Sequence, residues 1–307
     1  MMRFLDLHIS AQMTDKGRLS AYKGSMLRGA MGSALKKTCC NIRSEDCSAC
    51  IISGVCPFPK LFVAERTENG RAKPPLYAVI PCDDGRTDFA AGDRLDFGLK
   101  LYAHATDYLP YFVRAVTLAG ELGLGKRNEN GRGTFSVKGI YCGGTNLYEP
   151  STQKLSKAQA EDLIFPQWQG ACQGSAFVRV DFLTPCRFKR DNFFSHDLSF
   201  RELCLLAVRR YRGLALLDGE QYAIDDFDGF LEEAGTVCTI GSDLHWKDWT
   251  RWSNRQGEAM QLGGIAGSVV YRGRLKAFEP FLRLAEKVQL GKQTSFGLGQ
   301  IRVTFKN

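Results

Sequence analysis

Two stretches of this chain are copies of one another. Residues 118–137 read LAGELGLGKRNENGRGTFSV and residues 284–303 read LAEKVQLGKQTSFGLGQIRV, and at an offset of 166 they align without a gap. Eight of the twenty positions are identical: Leu118/Leu284, Ala119/Ala285, Leu124/Leu290, Gly125/Gly291, Lys126/Lys292, Gly131/Gly297, Gly133/Gly299 and Val137/Val303. The shared set holds three glycines and the lysine of a single loop. The offset is far longer than the ~20–50-residue period of a solenoid repeat, so the copied unit is a whole small domain.

The same order of elements reads around each loop. Upstream lie apolar residues at helix spacing, Leu109, Phe112, Val113 and Val116 in 108–122 and Leu275, Phe278, Leu282 and Ala285 in 275–289. Downstream lie short strands, Thr134–Tyr141 and Gln300–Phe305. Each half opens with a strand and a helix: Arg3–Ile9 and Tyr22–Lys37 in the first, Ala176–Phe182 and Phe200–Leu216 in the second. Strand-like runs fill the middle, at Lys60–Ala64, Leu76–Ile80 and Leu95–Tyr102, and at Thr236–Ile240 and Gly264–Tyr271. Strand–helix–strand–strand–helix–strand is the ferredoxin-like order. The expected fold is α+β, two tandem ferredoxin-like domains with glycine-rich loops: an N-terminal domain over 1–150 carrying a cysteine cluster at 39–56, a polar linker over 151–170, and a C-terminal domain over 171–307.

Hydrophobic residues make up 44% of the chain and charged residues 24%, which excludes a disordered or collagen-like polymer. No window approaches the ~18 uncharged apolar residues of a membrane span, and Asp6 interrupts the apolar start. A cytoplasmic protein with reduced thiols and no membrane partner is expected. The net charge of +8 favours a polyanionic partner.

Each glycine loop follows a helix and precedes a strand, the reverse of a Walker A loop. Glycine lets backbone amides approach a bulky ligand, and Gly125, Lys126, Arg127 and Arg132 in one loop, with Gly291, Lys292, Gly297 and Gly299 in the other, suit a phosphodiester chain. The alternative is a helix C-cap and bulge that need glycine for positive φ; the matched pair in a basic chain favours RNA. Arg251 and Arg255 interleave with Trp249 and Trp252, as a stacking-plus-phosphate surface would. For the tryptophans themselves an amphipathic helix that buries them is the preferred reading. Arg209, Arg210 and Arg212 suit either a helix C-terminus or RNA.

The segment Trp246–Gln256 (W-x2-W-x2-W-S-N-R-Q), the glycines Gly263, Gly264 and Gly267, and the closing GK-x4-GLG together resemble the C-terminal signature of the CRISPR repeat-processing endoribonucleases of the RAMP superfamily. Tyr22–Leu35 (YKGSMLRGAMGSAL) and Cys56–Phe62 resemble its cysteine-rich members. The resemblance implies tandem ferredoxin-like domains, binding and metal-independent cleavage of CRISPR repeat RNA, and handover of the product to other effector-complex subunits. A non-cleaving subunit that holds the same RNA is the rival reading, and a cysteine-metal protein with incidental RNA affinity is a second.

Such cleavage drives the RNA 2′-hydroxyl onto the adjacent phosphate, which calls for a proton acceptor, a proton donor and positive charge. Relatives commonly carry histidine where Ser33 and Gln289 stand, and Tyr22–Lys37 holds none. Of the four histidines, His196 lies in a polar loop beside Lys189 and Arg190 and is the candidate; His8 falls on the open face of the first sheet, where it could face the domain cleft, and His104 and His245 read as structural. Some relatives use Tyr, Arg and Lys, which points to Tyr22, Arg28 and Lys37, with Lys23 on the RNA. Arg28 suits charge neutralisation, since a group of pKa above ~12 is a poor proton acceptor; a surface salt bridge is its competing role.

Eleven cysteines are present. Six stand singly and read as small buried hydrophobes. The other five crowd into 39–56, where Cys40, Cys47, Cys50 and Cys56 offer four thiolates around a C-x2-C pair. A structural zinc is expected there, with an iron–sulfur cluster or free thiols as alternatives; no cofactor is expected for catalysis.

Overall fold

The computed structural model describes residues 1–42, 46–63, 73–82, 84–125, 132–170, 172, 174–190, 193–194, 197–253 and 258–306. It divides into two units, one of Met2–Asp162 with Ser295–Gly297, the other of Met1, Leu163–Thr294 and Leu298–Asn307.

The N-terminal unit is built on β1 (Met2–Met13), α1 (Gly24–Cys39), α2 (Pro57–Phe62), β2 (Tyr77–Ile80), β3 (Phe97–Tyr102), α3 (Leu109–Leu122) and β4 (Phe135–Cys142). Its principal strands stand in the order β2-β3-β1-β4, all antiparallel, with β5 (Thr145–Glu149) added beyond β4. This is the ferredoxin-like sheet, in which the first and third strands lie side by side at the centre. Strand alternation buries Leu5, Leu7 and Ile9 and leaves Asp6 and His8 exposed. Leu7, Leu99 and Ile140 meet Leu109, Phe112, Val113 and Val116 of α3. Each such side chain withdrawn from water stabilises the sheet–helix layer by roughly 1.5–3 kcal/mol.

The C-terminal unit repeats the plan: β6 (Ala176–Cys186), α4 (Phe200–Leu216), α5 (Phe227–Thr236), β7 (Cys238–Ser242), β8 (His245–Ser253), β9 (Glu258–Gly273), α6 (Glu279–Val288) and β10 (Ile301–Lys306). The order is β7-β9-β6-β10, with β8 paired to β9. A reciprocal capping box, Ser199 with Glu202, starts α4. Phe200, Phe230, Phe278 and Phe281 are fully buried beneath the sheet-forming Tyr271. Among the described residues no helix is long and apolar enough to cross a membrane.

Three expectations are corrected. The described part of Lys60–Ala64 is not a strand: Pro57 starts the short helix α2, which takes in Lys60 and buries Leu61 and Phe62, and Ala64 lies outside the described residues. The tryptophan segment is not a helix. It forms β8 of a long hairpin, Trp246 facing Ile265 and Trp249 facing Leu262 across the ladder. The W-x2-W spacing matches a helix turn, but the partner strand supplies Gly263, which lets the hairpin close: a Cβ there would lie 1.8 Å from Asp248 Oδ1 and 3.0 Å from Trp246 Nε1. Of the six single cysteines only Cys186 and Cys204 are buried, while Cys82, Cys172 and Cys238 are exposed. Burial pushes the Cys186 thiol up to about 12 and the Cys204 thiol above its ordinary value.

Candidate nucleic-acid interface

Of the four residues expected to catalyse, the three that are described, Tyr22, Arg28 and Lys37, are not brought together. Tyr22, just ahead of α1, is buried and its hydroxyl donates to the Phe296 carbonyl at 2.8 Å. Arg28 is half-buried; its Nε donates to the Tyr77 hydroxyl at 3.0 Å and its Nη2 to the Phe62 carbonyl at 3.4 Å. Its guanidinium carbon stands 5.5 Å from the Phe62 ring centre and 5.2 Å from that of Phe296. Burial raises the Tyr77 phenol above its ordinary value, with Arg28 pulling the other way. Lys37 is exposed, nine residues further along α1. At ~100° per residue that is the opposite side of the helix, some ~13 Å away along the axis. Lys37 instead shares a line of exposed residues with Ser33 and Gly29, at four-residue steps. His196 lies outside the described residues, as do Lys126, Arg127 and Arg255, and so does the side chain of Arg251, whose backbone runs in β8.

Lys23 is corrected outright as an RNA contact. Its side chain is 1% exposed, and its Nζ pairs with Asp84 Oδ1 at 2.5 Å. Burial pushes the Asp84 carboxyl up, but the Lys23 ammonium and the Arg86 amide outweigh it and leave the carboxyl below its ordinary range. A lysine this enclosed is a positive post for the 84–89 loop, not a phosphate ligand.

The glycines of the second loop are likewise committed inward. Gly299 is buried at φ +78°; its N–H donates to Pro185 at 2.9 Å, and its carbonyl accepts from Leu290 at 2.8 Å. A Cβ there would lie 1.8 Å from the Leu290 carbonyl oxygen. Gly297 is buried against Val79 and Pro81, and a Cβ at the half-buried Gly291 would lie 2.3 Å from the Arg187 carbonyl oxygen. The loop needs glycine to close on its own chain, so Gly297 and Gly299 are corrected as RNA contacts. Among the described residues of the two loops, Gly125 and Arg132 of the first and Lys292 of the second are exposed. Gln289, where relatives have histidine, is fully buried and donates to the Leu298 carbonyl at 3.3 Å. Arg210 and Arg212 are structural, donating to the carbonyls of Val288 and Tyr222 at 3.0 and 2.7 Å.

Beside Lys292 stands a group that no single motif of the sequence joins. Arg187 and Lys189 flank the ring of Phe194, and the Trp246 ring lies next to it. The alternation of base and aromatic in FKRDNFF was the available signal.

Among the described residues no three or more Cys, His, Asp or Glu side chains gather as a metal group, so Cys40, Cys47, Cys50 and Cys56 are not assembled into a zinc tetrahedron. The association that does form involves Cys39: burial, then Cys56 and Cys40, push its thiol up to about 11.

Comparison with known proteins bears on this arrangement. Residues 2–160 match the family model AF_1859_N, an N-terminal domain, and residues 180–301 match that of the CRISPR-associated endoribonuclease Cas6. No curated protein matches the sequence. Among solved structures the chain is similar to the "Partial Cas6-RT-Cas1--Cas2 complex", with a TM-score of 0.60 at 12% identity, covering all of this chain and 46% of that one. It is similar to the "Cas6-RT-Cas1--Cas2 complex" with the same score and identity over 29% of that chain. Thermus thermophilus Cas6 (TTHB231) aligns over 99% of both chains, at a TM-score of 0.55 and 12% identity. The chain thus spans less than half of the first two and nearly the whole of the third, and the likeness is one of fold. Laid on two ferredoxin-like units, the chain belongs to the AF_1859_N family over its first half and is similar to the CRISPR-associated endoribonuclease Cas6 over residues 180–301 of its second.

Proposed function

We propose that this protein is an endoribonuclease that cuts CRISPR precursor RNA within its repeats and keeps hold of the repeat end. The observation that supports this most is the Cas6 match over 180–301, which coincides with a ferredoxin-like unit whose loop exposes Lys292 among further basic side chains. The reaction is metal-independent. The 2′-oxygen forms a bond to the adjacent phosphorus while the bond to the 5′-oxygen breaks, leaving a 2′,3′-cyclic phosphate and a 5′-hydroxyl. On α1 the exposed ammonium of Lys37 is placed to neutralise the phosphorane, and Arg28, with N–H donors beyond the two in use, orders the helix start. The 2′-proton passes to a solvent-derived base and water supplies the proton that the departing 5′-oxygen takes up, because α1 holds no histidine. Turnover is slow, and a single turnover suffices when the product is retained. Other CRISPR-complex proteins are partners in this reading, in the manner of the Cas6-RT-Cas1–Cas2 assemblies named above.

The test is end-labelled repeat RNA with purified protein in EDTA. Cleavage to a product that resists end-labelling until its cyclic phosphate is opened supports the proposal. Intact RNA despite tight binding selects the non-cleaving subunit, a reading that Ser33 and the buried Gln289 favour. Structural zinc in the 39–56 segment is a separate proposal that rests on the C-x2-C spacing alone; one zinc per chain, lost in Cys47→Ser, would bear it out.

A further inference from the structure

We infer that Arg187, Lys189 and Phe194 form a stacking station for one unpaired nucleotide of the RNA, with Lys292 beside it for the phosphate; this rests on the RNA-processing reading above. Phe194 is a large apolar side chain left 36% exposed. It sits on a two-residue strand, opposite Lys189 in a short antiparallel ladder. The Arg187 guanidinium carbon lies 4.0 Å from its ring centre, the Lys189 Nζ 5.3 Å, and the Trp246 ring centre 5.7 Å.

The cation at the centre of this group is fixed by the fold. Arg187 Nη1 donates to the Gly263 carbonyl at 3.1 Å, and its backbone carbonyl accepts from Lys292 N–H at 2.7 Å. The second glycine loop and the ring are therefore tied through one residue. Burial lowers the Arg187 guanidinium from its ordinary value and Asp248 raises it; it stays charged at any working pH. Arg190, the neighbouring base, is taken up by Glu202, while Lys189 and Lys292 point their charge to solvent.

The cation–π pair is favourable in itself, and it leaves the Phe194 ring partly in solvent, where a flat partner can meet it. A nucleobase stacks on such a ring and brings a phosphate to the adjacent ammonium groups. A base inside a duplex is already stacked on both faces, so the occupant is single-stranded RNA.

The experiment uses the full chain, fluorescence anisotropy, and two probes: a short single-stranded RNA and a fully paired RNA duplex of equal length. Phe194→Leu keeps apolar bulk and removes the π-face; Phe194→Trp restores it. We expect Leu to weaken single-strand binding roughly ten-fold, Trp to recover most of that, and the duplex affinity and melting temperature to stay put. Single-strand binding by Phe194→Leu equal to wild type overturns the station while leaving the RNA-processing reading intact. An equal loss on both probes that Trp does not recover assigns Phe194 to packing and also overturns it. Wild-type protein that binds neither probe overturns the RNA reading and the station with it.

Discussion

Gly299→Ala separates the two roles a glycine-rich loop can have. At φ +78° an alanine pays about 1–2 kcal/mol for the left-handed backbone. The new Cβ would lie 1.8 Å from the Leu290 carbonyl oxygen and 2.8 Å from its carbon. Relief needs a backbone shift of about an ångström, in a buried place held between Pro185 and Leu290. That shift loosens the Leu290 N–H bond to Gly299 (2.8 Å) and the Gly299 N–H bond to Pro185 (2.9 Å), each contributing about 1 kcal/mol. The sum is about 3–4 kcal/mol. At roughly 2–4 °C per kcal/mol for a unit of this size, the melting temperature falls by about 6–16 °C. Thermal unfolding followed by circular dichroism measures this, and RNA affinity well below the transition should match wild type. An unchanged melting temperature with lost RNA affinity would refute the reasoning and return Gly299 to the ligand.

Three further outcomes follow from α1 and its surroundings. Gly29 is exposed in mid-helix with nothing within 4 Å of a Cβ, so Gly29→Ala should raise stability by about 0.5–1 kcal/mol, read as a higher urea midpoint. Asp84→Asn leaves the enclosed Lys23 ammonium without its carboxylate; since the Asp84 side chain is 39% exposed and water reaches the pair, the cost should be about 1–3 kcal/mol rather than the larger figure for a fully buried pair. The folded-state carboxyl is lowered, so its stabilisation is present above the unfolded value near ~4 and is lost as pH falls through the folded one; urea melts between neutral pH and acid should show this loss in wild type and not in the variant. Single-turnover cleavage should rise steadily with pH, with no break near ~6.5, and Ser33→His should speed it at least ~10-fold and introduce that break; a wild-type profile already levelling there would place a histidine in the reaction.

What could be read ahead of the structure, and what could not, divides along physical lines. The duplication and the ferredoxin-like order were legible because each copy has to bury one face of four strands under two helices, and that requirement writes apolar periodicity into both halves, as in Phe112–Val116 and Leu282–Ala285. The site was much less legible, because side-chain commitment depends on partners distant in sequence. Nothing near Lys23 announces that Asp84 encloses it, and nothing near Arg28 announces Tyr77. Glycine is ambiguous for the same reason: a ligand's backbone and the chain's own backbone ask for the same missing Cβ, and only the position of Leu290 decides for Gly299. The tryptophan segment misled because three-residue spacing fits a helix turn, whereas Gly263, which makes room for the hairpin, stands in the partner strand. The same logic explains why α1 lacks a recognisable catalytic group. Arg28 and Tyr22 are held by ring faces and carbonyls that order the start of the helix, so the charge left for RNA lies on its far side with Ser33 and Lys37, where a histidine introduced at position 33 would stand in solvent rather than in the core.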